Sequence, residues 1–198
     1  MDVVKIDHTE LGKLFSRSEN HFMDFKSKAV APAKLSRAIS AFANSEGGEL
    51  FVGIMEPSSG GPKAWDGFGS VEDANAHLQV IEGLFPLGHG AKATFLATDD
   101  HLGLVLHVEV QKCREILTTT AGETYIRRGA QNLPVNSQDA LERLRLNKGI
   151  ASFEGQTINV PIDAITNSVE TISFMLEVVP HQEPDRWLRK QMLIVEDK

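Results

Sequence analysis

Four basic residues and one tyrosine lie in two separate segments of the sequence and could contact phosphate groups together. The first segment contains Lys26 and Lys28, and the second contains Tyr125, Arg127 and Arg128. Lysine and arginine contact phosphate oxygens, and the tyrosine ring could either stack on a base or pack half-buried in the protein. Because side chains alternate along a strand, Arg127 and Arg128 would face opposite sides, so only one is expected to line a given groove.

Two consecutive glycines, Gly47 and Gly48, form another segment with a possible role in binding. Glycine permits positive φ and a close backbone approach, so a phosphate group could lie against the amides of this turn. Alternatively, the glycines only end a helix and let it pack on the next strand, with Asn44 and Ser45 helping to form the turn. Both interpretations place a tight turn at this point of the chain.

The charge of the whole chain argues against a protein that coats nucleic acid nonspecifically. Its formal net charge is -7 and its pI is about 5.5, whereas such proteins usually carry a clear positive excess. Residues 1–40 nevertheless contain seven lysines and arginines against five aspartates and glutamates. Any surface that binds nucleic acid is therefore expected to be local.

The cysteine content and the apolar runs restrict which metal sites the protein can form and in which compartment it is expected. Cys113 is the only cysteine, which excludes an intrachain disulfide and a zinc cluster built from several thiolates. No stretch reaches the roughly 18 apolar residues of a membrane span, and residues 1–15 lack the apolar core of a signal peptide. We therefore expect a cytoplasmic protein with no membrane partner.

Apolar residues at helical spacing predict a helix over residues 32–42. The glycine turn then leads into residues 49–54, whose mostly apolar side chains predict a strand that is buried on both faces. A second helix is expected with Asp73 as its N-cap, Phe85 on its apolar face and Pro86 at its end. The other predicted elements are two hairpin strands, a further strand and a short helix, at residues 93–98, 104–110, 124–128 and 139–146.

Residues 149–198 are expected to form a C-terminal appendage, separate from a domain over residues 1–148. The apolar residues between positions 162 and 179 fit a helix, although their β-branched side chains would also suit strands. Residues 183–195 could form another helix. No motif in this appendage indicates a function.

The segment Ala41–Ile54, with the sequence AFANSEGGELFVGI, closely resembles the central signature of the Schlafen AlbA-like family, also described as AlbA_2 or divergent AAA-4. In that signature a helix runs through a Gly-Gly turn into a core strand. Asp24-Phe25-Lys26 stands where the family usually has Glu-Phe-Lys, and residues 125–130 resemble its aromatic-x-Arg-x-Gly strand end. The resemblance spans residues 19 to about 135.

The resemblance implies an α+β fold, in which a mixed β-sheet carries two or three packed helices. Members of the family are described as nucleic-acid-binding, for RNA or DNA, or as ATP-binding. The sequence contains no G-x-x-x-x-G-K-[ST] loop and no glycine-rich turn after a first strand, so ATP binding is the weaker alternative. A protein-interaction module that only shares the fold is a further alternative. The family pattern also favours Arg127 over Arg128 as a phosphate contact.

Some relatives in the family are RNA endonucleases with three acidic residues, and the resemblance carries these roles onto Glu19, Asp24 and Glu56. Such carboxylates could bind Mg²⁺ or Mn²⁺, which activates water, while Lys26 stabilises developing negative charge. The sequence departs from the pattern, because Asp24 replaces a glutamate, Glu56 replaces an aspartate and Pro57 restricts the neighbouring backbone. A metal-dependent endoribonuclease is therefore the alternative to a binding module.

The nuclease members enclose a structured RNA between two AlbA-like lobes. The sequence contains one such lobe, so the resemblance implies that a two-fold homodimer could supply the second.

Overall fold

The computed structural model describes residues 1–57, 61–84, 86–152 and 159–194 of the chain. The chain divides into two units, Met1–Ala151 and Ser152–Lys198. The sequence prediction placed this division after residue 148. None of the helices in these described ranges has the length and apolar character needed to cross a membrane.

The first unit contains nine strands and four α-helices in its described residues. In chain order they are β1 (Val3–Lys5), α1 (His8–Ser16), β2 (Met23–Lys26), α2 (Pro32–Ala43), β3 (Gly48–Val52), β4 (Ile54–Met55), β5 (Ala64–Trp65), α3 (Asn75–Glu82), β6 (Ala91–Ala97), β7 (Val105–Val110), β8 (Tyr125–Arg128), β9 (Gln131–Pro134) and α4 (Gln138–Asn147).

A mixed five-stranded sheet with the order β1-β6-β7-β3-β2 forms the centre of this unit. The outer pairs, β1 with β6 and β2 with β3, are parallel, whereas β7 is antiparallel to both of its neighbours. The predicted hairpin is thus confirmed as β6 and β7. Two further antiparallel pairs, β4 with β5 and β8 with β9, lie outside this sheet.

Two apolar cores lie on opposite faces of the sheet because side chains alternate along each strand. Leu50 and Val52 of β3 join the larger core with α2 and α3, whereas Phe51 joins the smaller core with Leu14 of α1. All three β3 side chains are at most 3% exposed, so the predicted burial of this strand on both faces is confirmed. The fold is α+β with a mixed sheet and packed helices, as expected.

The start of α3 differs from the sequence prediction. Asp73 is not the N-cap of this helix, because it lies in a preceding 3-10 turn, Glu72–Ala74. There its carboxylate accepts a hydrogen bond from the Ser70 amide at 3.0 Å. Ala74 is the residue before the helix and provides no side-chain cap. Phe85 lies outside the described residues.

The sequence prediction does not include the first strand and helix, β1 and α1. A capping box begins α1: Asp7 Oδ1 accepts from the Glu10 amide at 2.8 Å, and Glu10 Oε2 accepts from the Asp7 amide at 3.0 Å. These residues, three apart and ahead of the buried Leu11 and Leu14, are the signal that could have identified the helix.

The second unit contains three helices in its described residues: α5 (Ile162–Thr166), α6 (Val169–Val178) and α7 (Pro184–Lys190). The apolar pattern is therefore helical, as predicted, but it is broken between α5 and α6. Ser168 Oγ accepts a hydrogen bond from the Thr171 amide at 3.1 Å and so begins a new helix. The rings of Phe174 and Trp187 bring α6 and α7 together, with 5.4 Å between their centroids.

Candidate nucleic-acid interface

Asn44 connects the C-terminal end of α2 to the segment around β8. Its amide donates to the carbonyls of Leu117 at 2.7 Å and Tyr125 at 3.0 Å, and its side-chain carbonyl accepts from the Leu117 amide at 2.8 Å. The side chain thus pairs with both backbone polar groups of Leu117, as a neighbouring strand would. Asn44 is only 3% exposed, and its role extends well beyond the predicted turn.

Two serines of α2 and its C-terminal turn complete this connection. Ser40 Oγ donates to the Leu117 carbonyl at 2.8 Å and accepts from the Tyr125 amide at 3.3 Å. Ser45 Oγ accepts from the Arg127 amide at 2.8 Å. One edge of β8 is therefore satisfied by side chains of the helix end, whereas its other edge pairs with β9.

The glycine turn packs closely against the sheet. Gly47 has a φ of +81°, its amide donates to the Phe42 carbonyl at 3.0 Å, and a Cβ there would lie 2.7 Å from the Val110 carbonyl oxygen. A Cβ at Gly48 would overlap the Phe42 ring and lie 2.9 Å from the Phe22 carbonyl oxygen. These contacts support the interpretation in which the glycines end the helix and allow close packing on the strand.

Arg127 is buried and joins β8 to the region of β2. Its guanidinium donates to the carbonyls of Asn20 and Met23, both at 2.9 Å from Nη2, and to Asn132 Oδ1 at 2.7 Å. The same group lies 3.5 Å from Asp24 Oδ1. With 2% of the residue exposed, the predicted contact of Arg127 with phosphates needs correction, because its donors are directed into the protein.

The alternation expected along β8 turns Arg128, rather than Arg127, to solvent. Tyr125 faces inward with Arg127 and is 8% exposed. Its hydroxyl donates to Glu123 at 3.0 Å, and the Arg37 guanidinium lies 5.6 Å from the ring centroid. The ring therefore has the packed position that was the alternative to stacking on a base, and we remove it from the predicted interface.

Arg128 lines a cleft of about 820 Å³ between the C-terminal end of α2, the β8–β9 hairpin and α4. The charged residues that line it with Arg128 are Lys112, Arg127, Arg143, Lys148, Glu46 and Asp139, of which Arg127 is the buried one described above. Arg128 and Arg143 are both exposed. Within the part of the chain that the structure describes, the arginine ion pairs involve Arg37, Arg127 and Arg189. Arg128 and Arg143 therefore have no acidic partner there.

The two lysines of the cleft are already engaged within the protein. Lys112 Nζ lies 2.8 Å from Glu46 Oε1. Lys148 Nζ donates to the carbonyls of Ala43 at 3.0 Å and Cys113 at 2.6 Å, and burial lowers its pKa. Ala43 is the last residue of α2, where the helix dipole favours a cation. Lys148 thus holds α4 against α2. Arg128 and Arg143 are therefore the cations of the cleft that are available to a ligand.

Comparison with known families identifies the family of the chain. The family model described as Schlafen, AlbA_2 matches residues 19–136, which is more than half of the chain. The chain belongs to the Schlafen AlbA_2 family. No curated protein sequence matches it. The Schlafen AlbA_2 match includes Lys112 and Arg128 but ends before α4, so Arg143 and Lys148 line the cleft from outside the matched region.

One solved structure that is similar to this Schlafen AlbA_2 chain is the DIP2311 protein from Corynebacterium diphtheriae. The two share 16% sequence identity, with a TM-score of 0.48. The similarity covers 91% of this chain and 35% of the other, so this chain spans about a third of the length of that protein.

The first two acidic residues of the Schlafen AlbA_2 pattern surround Lys26. Its Nζ lies 2.8 Å from Asp24 Oδ1 and 3.2 Å from Glu19 Oε1. Burial raises the pKa of Asp24 to about 6, and its hydrogen bond with Glu19 acts in the same direction, whereas Lys26 lowers it. Although burial would raise the pKa of Glu19, hydrogen bonds with Asp24 and the Phe25 amide lower it overall. Lys26 therefore favours the ionised form of both acids.

Glu56 does not join this pair. Its Oε1 lies 2.7 Å from Lys63 Nζ, which is 4.7 Å from the centroid of the Phe25 ring. Phe25 and Asp24 are consecutive in β2, so their side chains point to opposite faces of the sheet. Among the described residues, no three His, Cys, Asp or Glu side chains are grouped to hold a metal ion. Glu19, Asp24 and Glu56 therefore do not form the three-carboxylate Mg²⁺ or Mn²⁺ site that the resemblance implies.

Lys28 is also paired within the protein. Its Nζ lies 3.1 Å from Asp66 Oδ1 and donates to the Gly67 carbonyl at 3.0 Å. Neither Lys26 nor Lys28 lines the cleft with Arg128. The basic residues predicted from sequence are thus divided between a β2 region rich in ion pairs and the separate cleft.

The Glu19–Asp24–Lys26 cluster makes a prediction about titration. Glu19→Gln should lower the pKa of Asp24, because it removes a carboxylate that favours the protonated form. Lys26→Met should raise that pKa, because it removes the cation that stabilises the ionised form. Carbon-detected NMR of the Asp24 carboxyl across the pH range measures both shifts. Asp66, in its separate pair with Lys28, is the internal control, and equal titration of Asp24 in all three proteins would contradict the described contacts.

Proposed function

We propose that this Schlafen AlbA_2 protein binds nucleic acid through the cleft that Arg128 and Arg143 line. The observation that carries the proposal is this pair of exposed arginines, which have no acidic partner in the described residues. A guanidinium group binds phosphate oxygens through paired hydrogen bonds and stays charged at any physiological pH. Two such groups in one cleft suit neighbouring phosphates of a single chain.

The local charge supports the same proposal. The cleft residues include five lysines and arginines against two acids, a net charge of five minus two, or +3, with His21 neutral. The whole chain has a net charge of -7. The cleft therefore attracts a polyanion while much of the remaining surface repels it, which orients the ligand. A local basic surface was expected from the sequence, and the surface proposed here keeps the predicted Arg128 and adds Arg143 of α4.

The proposal concerns binding rather than cleavage. Asp24 is 1% exposed and its carboxylate is held by Lys26 and Arg127, so a scissile phosphate has no access to it. Glu56 is paired with Lys63. Pairing of two copies about a two-fold axis would place two clefts in one particle, and it stays a prediction from the family resemblance.

The test is the affinity of arginine variants for labelled RNA and DNA over a series of salt concentrations. Arg128→Gln and Arg143→Gln remove one charge each and should each weaken binding roughly ten-fold. Each should also reduce the slope of log affinity against log salt by about 0.7–0.9, because one phosphate contact is lost. Fluorescence anisotropy measures both quantities.

Arg145→Gln is the matched control, because Arg145 is exposed on the same helix as Arg143 but does not line the cleft. It should keep the wild-type affinity. Equal losses for Arg143→Gln and Arg145→Gln would indicate a general charge effect and contradict the proposed site. Wild-type protein that binds neither RNA nor DNA would contradict the function itself, and saturable binding of ATP in that case would favour the ATP-binding alternative.

A further inference from the structure

We propose that the ligand of the cleft is single-stranded, with an unpaired base stacked on the exposed ring of Phe22. This inference rests on the proposed function and specifies its ligand class. Phe22 is 55% exposed, and it is the one exposed phenylalanine among the described residues of the first unit. An aromatic ring that is exposed at the surface offers a flat apolar face on which a base can stack.

The backbone around Phe22 is held at several points. Asn20 Oδ1 accepts from the Phe22 amide at 2.7 Å, and the Phe22 carbonyl accepts from the Glu49 amide at 2.8 Å. The Asn20 carbonyl in turn accepts from Nε and Nη2 of the buried Arg127. The turn that carries the ring is thus connected to β3 and β8, so a ligand that stacks on Phe22 orders little additional backbone.

His21 places this ring at the edge of the cleft. It lines the cleft, and its ring meets the Phe22 ring edge-on, with 4.9 Å between the centroids. Arginines for the phosphates and an aromatic surface for a base therefore lie around one opening. This combination is typical of proteins that bind single strands, in which bases stack on aromatic side chains while cations contact the backbone.

The stacking surface discriminates against a duplex. In a double helix each internal base is already covered by its neighbours on both faces, whereas a base in a single strand can turn outward and stack on a protein ring. Arg128 and Arg143 can contact the phosphates of either form. We therefore assign affinity for phosphates to the arginines and the preference for single strands to Phe22.

The experiment compares labelled oligo-U RNA, oligo-dT DNA and a mixed-sequence duplex, each roughly ten nucleotides long, which is within the usual site size for such proteins. Phe22→Ala should weaken binding of the single strands about five-fold or more and leave duplex binding unchanged. Phe22→Trp should bind the single strands with an affinity equal to or higher than that of the wild type. The salt slope should stay the same in both variants, because no cation is removed. Comparison of the oligo-U and oligo-dT affinities identifies whether RNA or DNA is preferred.

Leu102→Ala is the control, because Leu102 is 96% exposed and does not line the cleft. Equal binding of single strands by wild type and Phe22→Ala, with the Arg143→Gln loss still present, would overturn this inference and leave the proposed function standing. If Phe22→Ala formed a particle of lower mass than the wild type but bound single strands equally well, the inference would also be overturned. The Phe22 ring would then contact a second copy of the chain. Binding of no nucleic acid by the wild type would remove both proposals.

Discussion

Replacing Asn44 with alanine should lower the free energy of unfolding of the first unit by roughly 2–6 kcal/mol, a large part of the stability of an ordinary domain. The variant leaves the Leu117 amide and the Tyr125 carbonyl without their Asn44 partner in the protein interior. Each buried polar group without a partner is costly, because it gives up hydrogen bonds with water in the folded state. The β8 segment should therefore detach from α2 before the sheet unfolds.

Urea denaturation followed by tryptophan fluorescence measures this effect. The chain has two tryptophans, and a Trp187→Phe background leaves Trp65, in the first unit, as the reporter. Asn75→Ala is the control, because Asn75 is exposed at the start of α3 and should change stability by no more than about 0.5 kcal/mol. If Asn44→Ala had the same urea midpoint as Asn75→Ala, the hydrogen bonds described for Asn44 would not hold β8 in place.

Valine at Gly47 or Gly48 should destabilise the same unit, for a different reason at each position. Gly47 combines a positive φ with a close approach to the Val110 carbonyl, so Gly47→Val adds backbone strain to overpacking, together roughly 2–6 kcal/mol. Gly48 is not in the positive-φ region, so Gly48→Val should act through overlap with the Phe42 ring, at roughly 1–3 kcal/mol. Thermal denaturation measures both losses of stability, and Gly47→Val should have the lower melting temperature.

Two other glycines separate these causes. Gly122 has a φ of +79° and open space where a Cβ would lie, so Gly122→Ala should cost only the backbone strain, about 1 kcal/mol. Gly12 lies in α1 in open space, so Gly12→Ala should stabilise the helix by about 0.5–1 kcal/mol. A Gly47→Ala variant no less stable than Gly122→Ala would show that the close approach to Val110 is unimportant.

Local patterns were sufficient for the parts of the fold in which neighbours in sequence are also neighbours in space. Apolar spacing predicted α2 and the β6–β7 hairpin, and the glycine pair predicted the turn that leads into β3. The predicted start of α3 was wrong, because Asp73 lies in the 3-10 turn before the helix, where its carboxylate accepts from the Ser70 amide. Two acidic residues three apart, Asp7 and Glu10, are a readable signal for α1 that the prediction did not use.

The candidate site depends much more on contacts between distant segments. Strand alternation alone implied that Arg127 and Arg128 face opposite sides, but it could not say which one is exposed. That choice is made by Asn20, Met23 and Asp24, which surround Arg127 from a segment about a hundred residues away in the sequence and satisfy its donors.

The sequence by itself determined the glycine turn, the family and, through the family resemblance, the α+β class, because the turn and each family motif are short runs of neighbouring residues. The tertiary structure decided that Glu56 pairs with Lys63 while Asp24 pairs with Lys26, and that Arg143 of α4 joins Arg128 in one cleft. Burial and charge neutralisation are properties of groups that meet only after folding, so the composition of a segment cannot reveal them. For this reason a basic surface that includes Arg128 was expected from sequence, whereas the part of Arg143 in it was found only in the folded chain.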